Sequence, residues 1–97
     1  MSANDVLLDA GYEDVIYFTD FGYDDALIGV DTNNRAVYDF NKMVRWLVEK
    51  EDFENDLEAV EWIEYNTIRS LPYIGEGAPI IMYSLVDKTR GVIHERY

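Results

Sequence analysis

Apolar residues recur along this chain with two different periods, and the changes of period mark its elements. Residues 4 to 11 place Val6, Leu7 and Ala10 on one side of a short helix that Gly11 stops. Asp14 to Thr19 (DVIYFT) is short, apolar and rich in β-formers, which predicts a strand. Asp20 to Asp25 (DFGYDD) predicts an acidic loop. The runs ALIGVD and RAVYDF flank Thr32-Asn33-Asn34, and Asn tolerates the left-handed backbone of a tight turn, so the pair predicts a β-hairpin. From Asn41 to Glu51 the period becomes helical: Phe40, Met43, Val44 and Leu47 form a stripe that Trp46 and Val48 widen, with Asp39 or Asn41 as its cap.

A second helix follows a break at Asp52 to Glu54. Asn55 and Glu58 have the spacing of a capping box, in which Asn bonds the backbone N–H three residues on and Glu reaches back. Asp56 and Glu58 also suit the positive end of the helix dipole. This helix is predicted from Asp56 to about Arg69, with Ala59, Val60, Ile63, Thr67 and Ile68 facing inward and Pro72 as its stop. Ile80 to Val86 (IIMYSLV) predicts a central strand, Asp87 to Gly91 a turn, and Val92 to Tyr97 a short edge strand. The order β-β-β-α-α-β implies an α+β fold: an antiparallel sheet of about four strands with two helices on one face.

Composition narrows the classes of function. A chain of 97 residues with 48% hydrophobic residues suits one compact domain and is too apolar for a disordered acidic tail. It has no Cys, so disulfides and thiolate metal sites are excluded. Met1 to Ala10 carries no basic residue and no long apolar run, and no stretch approaches a membrane span, so the expected location is the cytoplasm. The net charge of −12 is unevenly spread. The first 34 residues hold eight acids and no Lys or Arg, and residues 49 to 64 hold eight more against Lys50 alone. Such a field repels nucleic acid and anionic lipid and attracts basic surfaces. Solubility alone would account for it equally.

Catalytic chemistry finds little footing. The single His, His94, lies three residues from the chain's last residue, and no Ser lies in a Gly-x-Ser-x-Gly elbow. Asp20-Phe21-Gly22 matches the metal-binding triplet of kinases without any companion motif. Asp20, Asp24 and Asp25 lack the alternating ligands and central Gly of a calcium loop, and Gly75-x-Gly77 does not precede a helix as a phosphate cradle would. No enzyme, metal or cofactor is therefore expected.

Acids and aromatics interleave instead. Glu54, Glu58, Glu61 and Glu64 fall on the outer side of the second helix and join Glu49, Glu51 and Asp52 in an acidic ridge. Like charges at this spacing cost a few tenths of a kcal/mol each. The same residues would equally make a solvated helix face. Tyr12, Tyr17, Phe18, Phe21 and Tyr23 stand among the acids of the first segment, and Phe53, Trp62 and Tyr65 among those of the ridge; Tyr and Trp are favoured interface anchors.

Three stretches carry a resemblance: YDDALIGVDTNNRAVYDFNKMVRWLV (23 to 48), EAVEWIEYNTIRSLPY (58 to 73) and GAPIIMY (77 to 83). Together they resemble a family of small acidic proteins of phages and integrated mobile elements of Firmicutes, with EYNTIR-x-LPY the most specific part. Acidic proteins of that size and source include anti-CRISPR inhibitors. The resemblance implies an inhibitor that mimics DNA and blocks the nucleic-acid channel of a CRISPR effector nuclease. In that reading Asp20, Asp24, Asp25, Glu54, Glu58 and Glu61 pair with the partner's Arg and Lys, and Tyr23 and Trp62 anchor the contact. Independently of the resemblance, an open strand edge would allow a homodimer in place of a monomer. Direct binding of nucleic acid is not expected. An acidic adaptor, an antitoxin-like protein or a regulatory module with another basic partner would share the same charge pattern.

Overall fold

The computed structural model describes residues 2–85. Helix α1 (Ala3–Asp9) is capped by Ser2, whose side chain accepts the Asp5 N–H. An irregular segment leads to a 3₁₀ turn (Asp24–Ala26). Strands β1 (Leu27–Val30) and β2 (Ala36–Asp39) pair antiparallel, with Val30 opposite Ala36 and a bulge between Leu27 and Gly29. The predicted hairpin is therefore present. Its turn is closed by Asp31, whose Oδ1 accepts the N–H groups of Asn33 and Arg35, both at 2.9 Å. Asn34 takes the left-handed conformation at φ 66°.

Helix α2 (Phe40–Lys50) follows β2 directly. Of the two candidate caps it uses Asp39, whose Oδ2 accepts the Lys42 N–H at 2.9 Å. That bond satisfies a carboxylate that is itself buried. Phe40, Met43, Val44 and Leu47 face the core as their spacing predicts. Helix α3 (Asp56–Trp62) starts at Asn55, whose Oδ1 accepts the Glu58 N–H at 2.9 Å. Glu58 reaches back, although to the N–H of Glu54, one residue before the cap.

The second helix runs further than predicted. A π-helical segment (Ile63–Ile68) continues from α3 and leads without a break into α4 (Arg69–Ile74). Pro72 lies inside α4 and does not stop it. It falls in the first turn of α4, directly after the change from π- to α-helix, the part of a helix where a missing N–H costs least; just upstream the Ser70 hydroxyl donates to the Thr67 carbonyl at 2.7 Å. The helix ends at Gly75, at φ 90°, a conformation open to glycine and strained for other residues.

Strand β3 (Ile80–Met82) departs from expectation in direction and place. It lies at one side of a three-stranded sheet ordered β1-β2-β3, parallel to β2, so β2 is central and the sheet is mixed. Residues 40–79, which hold both helices, supply the long crossover that a parallel pair requires. Arg35 ties the two strand starts together, its Nε donating to the Ala78 carbonyl at 2.7 Å. The expected strand over Asp14 to Thr19 does not form. The Phe18 N–H donates to the Tyr38 hydroxyl at 3.2 Å, so this backbone is bonded to a side chain there. The expected C-terminal turn and edge strand, and His94, lie outside the described residues. The core gathers Leu7, Val15, Tyr23, Tyr38, Met43, Leu47, Ala59 and Ile63 between the sheet and the helices. Among the described residues no helix is long and apolar enough to cross a membrane.

Candidate functional site

The acidic residues lie where the helices meet solvent. Glu49 on α2, Glu51 and Asp52 in the connection, and Glu54, Asp56, Glu58, Glu61 and Glu64 along the following helix are all exposed. Helices α2 and α3 pack together, so these exposed acids flank one junction. Lys50 is the sole cation between Trp46 and Ile68 in the sequence. Glu54, Glu58 and Glu61 thus stand exposed, as a contact role would require. Their geometry also serves the fold, since Glu58 secures the backbone before the helix.

The loop acids separate into different roles. Asp20 and Asp25 are exposed. Asp24 is half-buried, and its Oδ1 accepts the Ala3 N–H at 3.1 Å, fastening α1 to the 3₁₀ turn. Gly22 leaves room for that tether, since a Cβ there would stand 2.7 Å from the same oxygen. Among the described residues no group of three His, Cys, Asp or Glu side chains could hold a metal ion.

Tyr23 is a correction. Its side chain is 1% exposed and belongs to the core, so it offers no ring to a partner. Acids on both sides of it in sequence give no hint of burial. The backbone at Tyr23 is left-handed, φ 50° and ψ 44°, which turns the chain and sends the ring inward. The ring lies 5.6 Å from Trp46 and 5.8 Å from Phe18 between centroids. Burial pushes its phenol up to about 12, against a lowering hydrogen bond from Thr67 and with a smaller upward push from the Asp20 charge. Burial does the same to Tyr38, also to about 12.

Trp62 is half-buried and keeps an accessible part. Its ring packs 4.8 Å from Phe21 and 6.3 Å from Phe53, on the core side of the ridge. Tyr65, next along the helix, is 67% exposed, and the Arg69 guanidinium stands 5.4 Å over its ring.

One groove brings three of the predicted residues together, Asp20, Trp62 and, at its buried floor, Tyr23. It has a volume of about 370 Å³ and opens between the irregular segment around Asp20 and the π-helical turn. Asp20, Phe21, Trp62, Asn66 and Ser70 contribute to its lining, and no Lys or Arg does so among the described residues. Neither Asn66 nor Ser70 stands out in the sequence by charge or aromaticity, yet a signal exists. They follow Trp62 at intervals of four, on one strip of the helix. The π segment shapes this wall. Such segments are rare and leave backbone carbonyls to find other donors. Here the Asn66 Nδ2 donates to the Trp62 carbonyl at 3.0 Å, and the Ser70 hydroxyl to that of Thr67.

No protein-family model matches the chain, and neither a curated protein nor a solved structure shows significant similarity to it.

Proposed function

We propose that this chain is a protein-binding inhibitor that covers the nucleic-acid-binding surface of a basic partner by presenting carboxylates in place of phosphates. The observation that carries this reading is the exposed ridge from Glu49 to Glu64, where eight acids meet one base. Such a ridge repels nucleic acid and steers toward Arg- and Lys-rich channels. Charge-assisted hydrogen bonds to guanidinium and ammonium groups would then hold the complex. The resemblance to small phage and mobile-element proteins favours a CRISPR effector nuclease as the partner, whose channel holds a guide–target duplex along a positive surface. Glu54, Glu58, Glu61 and Asp20 are the acids assigned to the contact, with Trp62 at its edge.

The test is target-DNA cleavage by a panel of guide-loaded CRISPR nucleases with and without this protein, at two salt concentrations. Inhibition that weakens with salt and abolishes DNA binding by the nuclease supports mimicry. Inhibition with DNA binding intact replaces mimicry with conformational blocking. Absence of inhibition across the panel shifts the reading to an adaptor or antitoxin-like module with a different basic partner.

A further inference from the structure

We propose that the groove between Asp20 and the π-helical turn is a receptor for a single arginine side chain of the basic partner; this rests on the function proposed above and names where that partner is gripped. The argument comes from which hydrogen-bonding groups in the groove are already engaged. Asn66 uses an amide N–H on the Trp62 carbonyl, which leaves its Oδ1 as an acceptor. The Ser70 hydroxyl spends its proton on the Thr67 carbonyl, which leaves oxygen lone pairs. Asp20 adds an exposed carboxylate to the same lining. Tyr17 and Thr19 add hydroxyls that can donate or accept, and Asp20 is the one charged group in the lining among the described residues, so the polar side offers several acceptors and a net negative charge. That pattern fits a cation and disfavours a phosphate or carboxylate ligand.

The apolar side selects among cations. Phe21, Trp62 and Ile74 line the groove, and its volume of about 370 Å³ accommodates a long side chain. An arginine stem would cover these rings while its planar head meets several acceptors at once and stacks on the indole. Lysine offers a compact ammonium that neither stacks as well nor spans separated acceptors. The groove also adjoins the ridge. Glu58, Trp62, Asn66 and Ser70 follow one another at intervals of four along the same helical strip. A partner drawn in by the ridge would thus have an arginine inserted at its end.

Titration of the full chain with blocked tripeptides carrying arginine, lysine or citrulline tests this, followed by NMR of the Trp62 indole and Asn66 side-chain amide signals, with the Trp46 indole as reference. The arginine peptide is expected to shift both signals saturably, with Kd of about 1–10 mM for so small a ligand. The lysine peptide should bind several-fold more weakly, and citrulline should leave the signals in place. Asp20→Asn, a surface change, should weaken arginine binding about fivefold and leave the Trp46 signal unmoved. Unmoved Trp62 and Asn66 signals at tens of mM arginine peptide (roughly ten times the expected Kd), or equal shifts with lysine or citrulline, would overturn the assignment. Its failure is distinguishable from that of the inhibitor reading. If charge reversal at Glu54, Glu58 and Glu61 abolishes nuclease inhibition while the groove ignores arginine, the ridge alone is the contact.

Discussion

The Tyr23 hydroxyl lies 2.7 Å from the Thr67 hydroxyl, a buried bond between residues 44 apart in the chain. It joins the strained turn at Tyr23 to the π-helical segment, the two features that frame the groove. Thr67→Val keeps the shape and strands the phenol without a partner, which is expected to cost about 1–3 kcal/mol. Tyr23→Phe should cost less, because a helical Thr can turn its hydroxyl to a carbonyl one turn back. The double variant should lose less than the two single losses combined. Urea unfolding of the four proteins measures this, and strict additivity would show that the bond contributes nothing.

The same burial makes the fold sensitive to alkali. Tyr23 and Tyr38 have folded pKa values of about 12, above the ordinary value of 10.0. The fold favours the neutral phenol, so their contribution is complete below pH 10.0 and falls as pH rises, levelling off once the folded groups also ionise near 12. Each group would remove roughly 3 kcal/mol over that interval. A domain of modest stability should therefore unfold between these limits. Circular dichroism and tyrosinate absorbance followed together against pH should show late-ionising tyrosines appearing with the loss of structure. Ionisation of every tyrosine near pH 10 with the fold intact would contradict this.

Capping carries a third expectation. Asn55 begins α3 with its bond to the Glu58 N–H, and Glu58 answers on Glu54. Asn55→Ala should cost about 1 kcal/mol, and Asn55→Asp should be nearly neutral. Thermal melts should show the alanine protein lowered by about 4–8 °C, as expected for a domain of this size. Loss of that cap also loosens the stretch that carries Glu54 and Glu58, so partner binding should weaken alongside stability.

Local signals were legible in the sequence wherever the chain decides for itself. The stripe from Phe40 to Leu47, the Asn55 cap and the turn at Asn34 all form because spacing and side-chain chemistry agree over a few residues. Tertiary contacts decide the rest. Asp14 to Thr19 has strand-like composition, yet the Phe18 N–H bonds the Tyr38 hydroxyl. Ile80 to Val86 reads as a strand, of which Ile80–Met82 forms one, but its direction depends on where the helices return the chain. Pro72 would stop most helices, yet it falls in the first turn after the π segment, where its missing N–H is tolerated. In the candidate site, Glu54, Glu58 and Glu61 were legible because charge at helical spacing stays outside. Tyr23 was not, because a single left-handed residue turned it inward. Asn66 and Ser70 matter through protons they donate to nearby carbonyls, which composition does not display.

Asp52 separates a structural from a functional account of the ridge. It follows α2 at φ 62°, a left-handed conformation that costs most residues energy and that glycine adopts freely. It is also an anion beside the negative end of a helix dipole. On both counts Asp52→Gly should stabilise the protein, by about 0.5–1 kcal/mol. Asp52→Asn removes the charge and keeps a side chain that tolerates this backbone, so it should stabilise by roughly 0.3–0.5 kcal/mol from the dipole alone. If the ridge serves only to keep the protein soluble, both variants should be more stable and equally active. If the charge of the ridge draws in a basic partner, both should be more stable and bind more weakly, by a similar factor that shrinks as salt is raised. Melting temperature and partner affinity measured on the same two variants decide between these outcomes, since lost backbone strain distinguishes the variants in the first measurement and the missing charge makes them alike in the second.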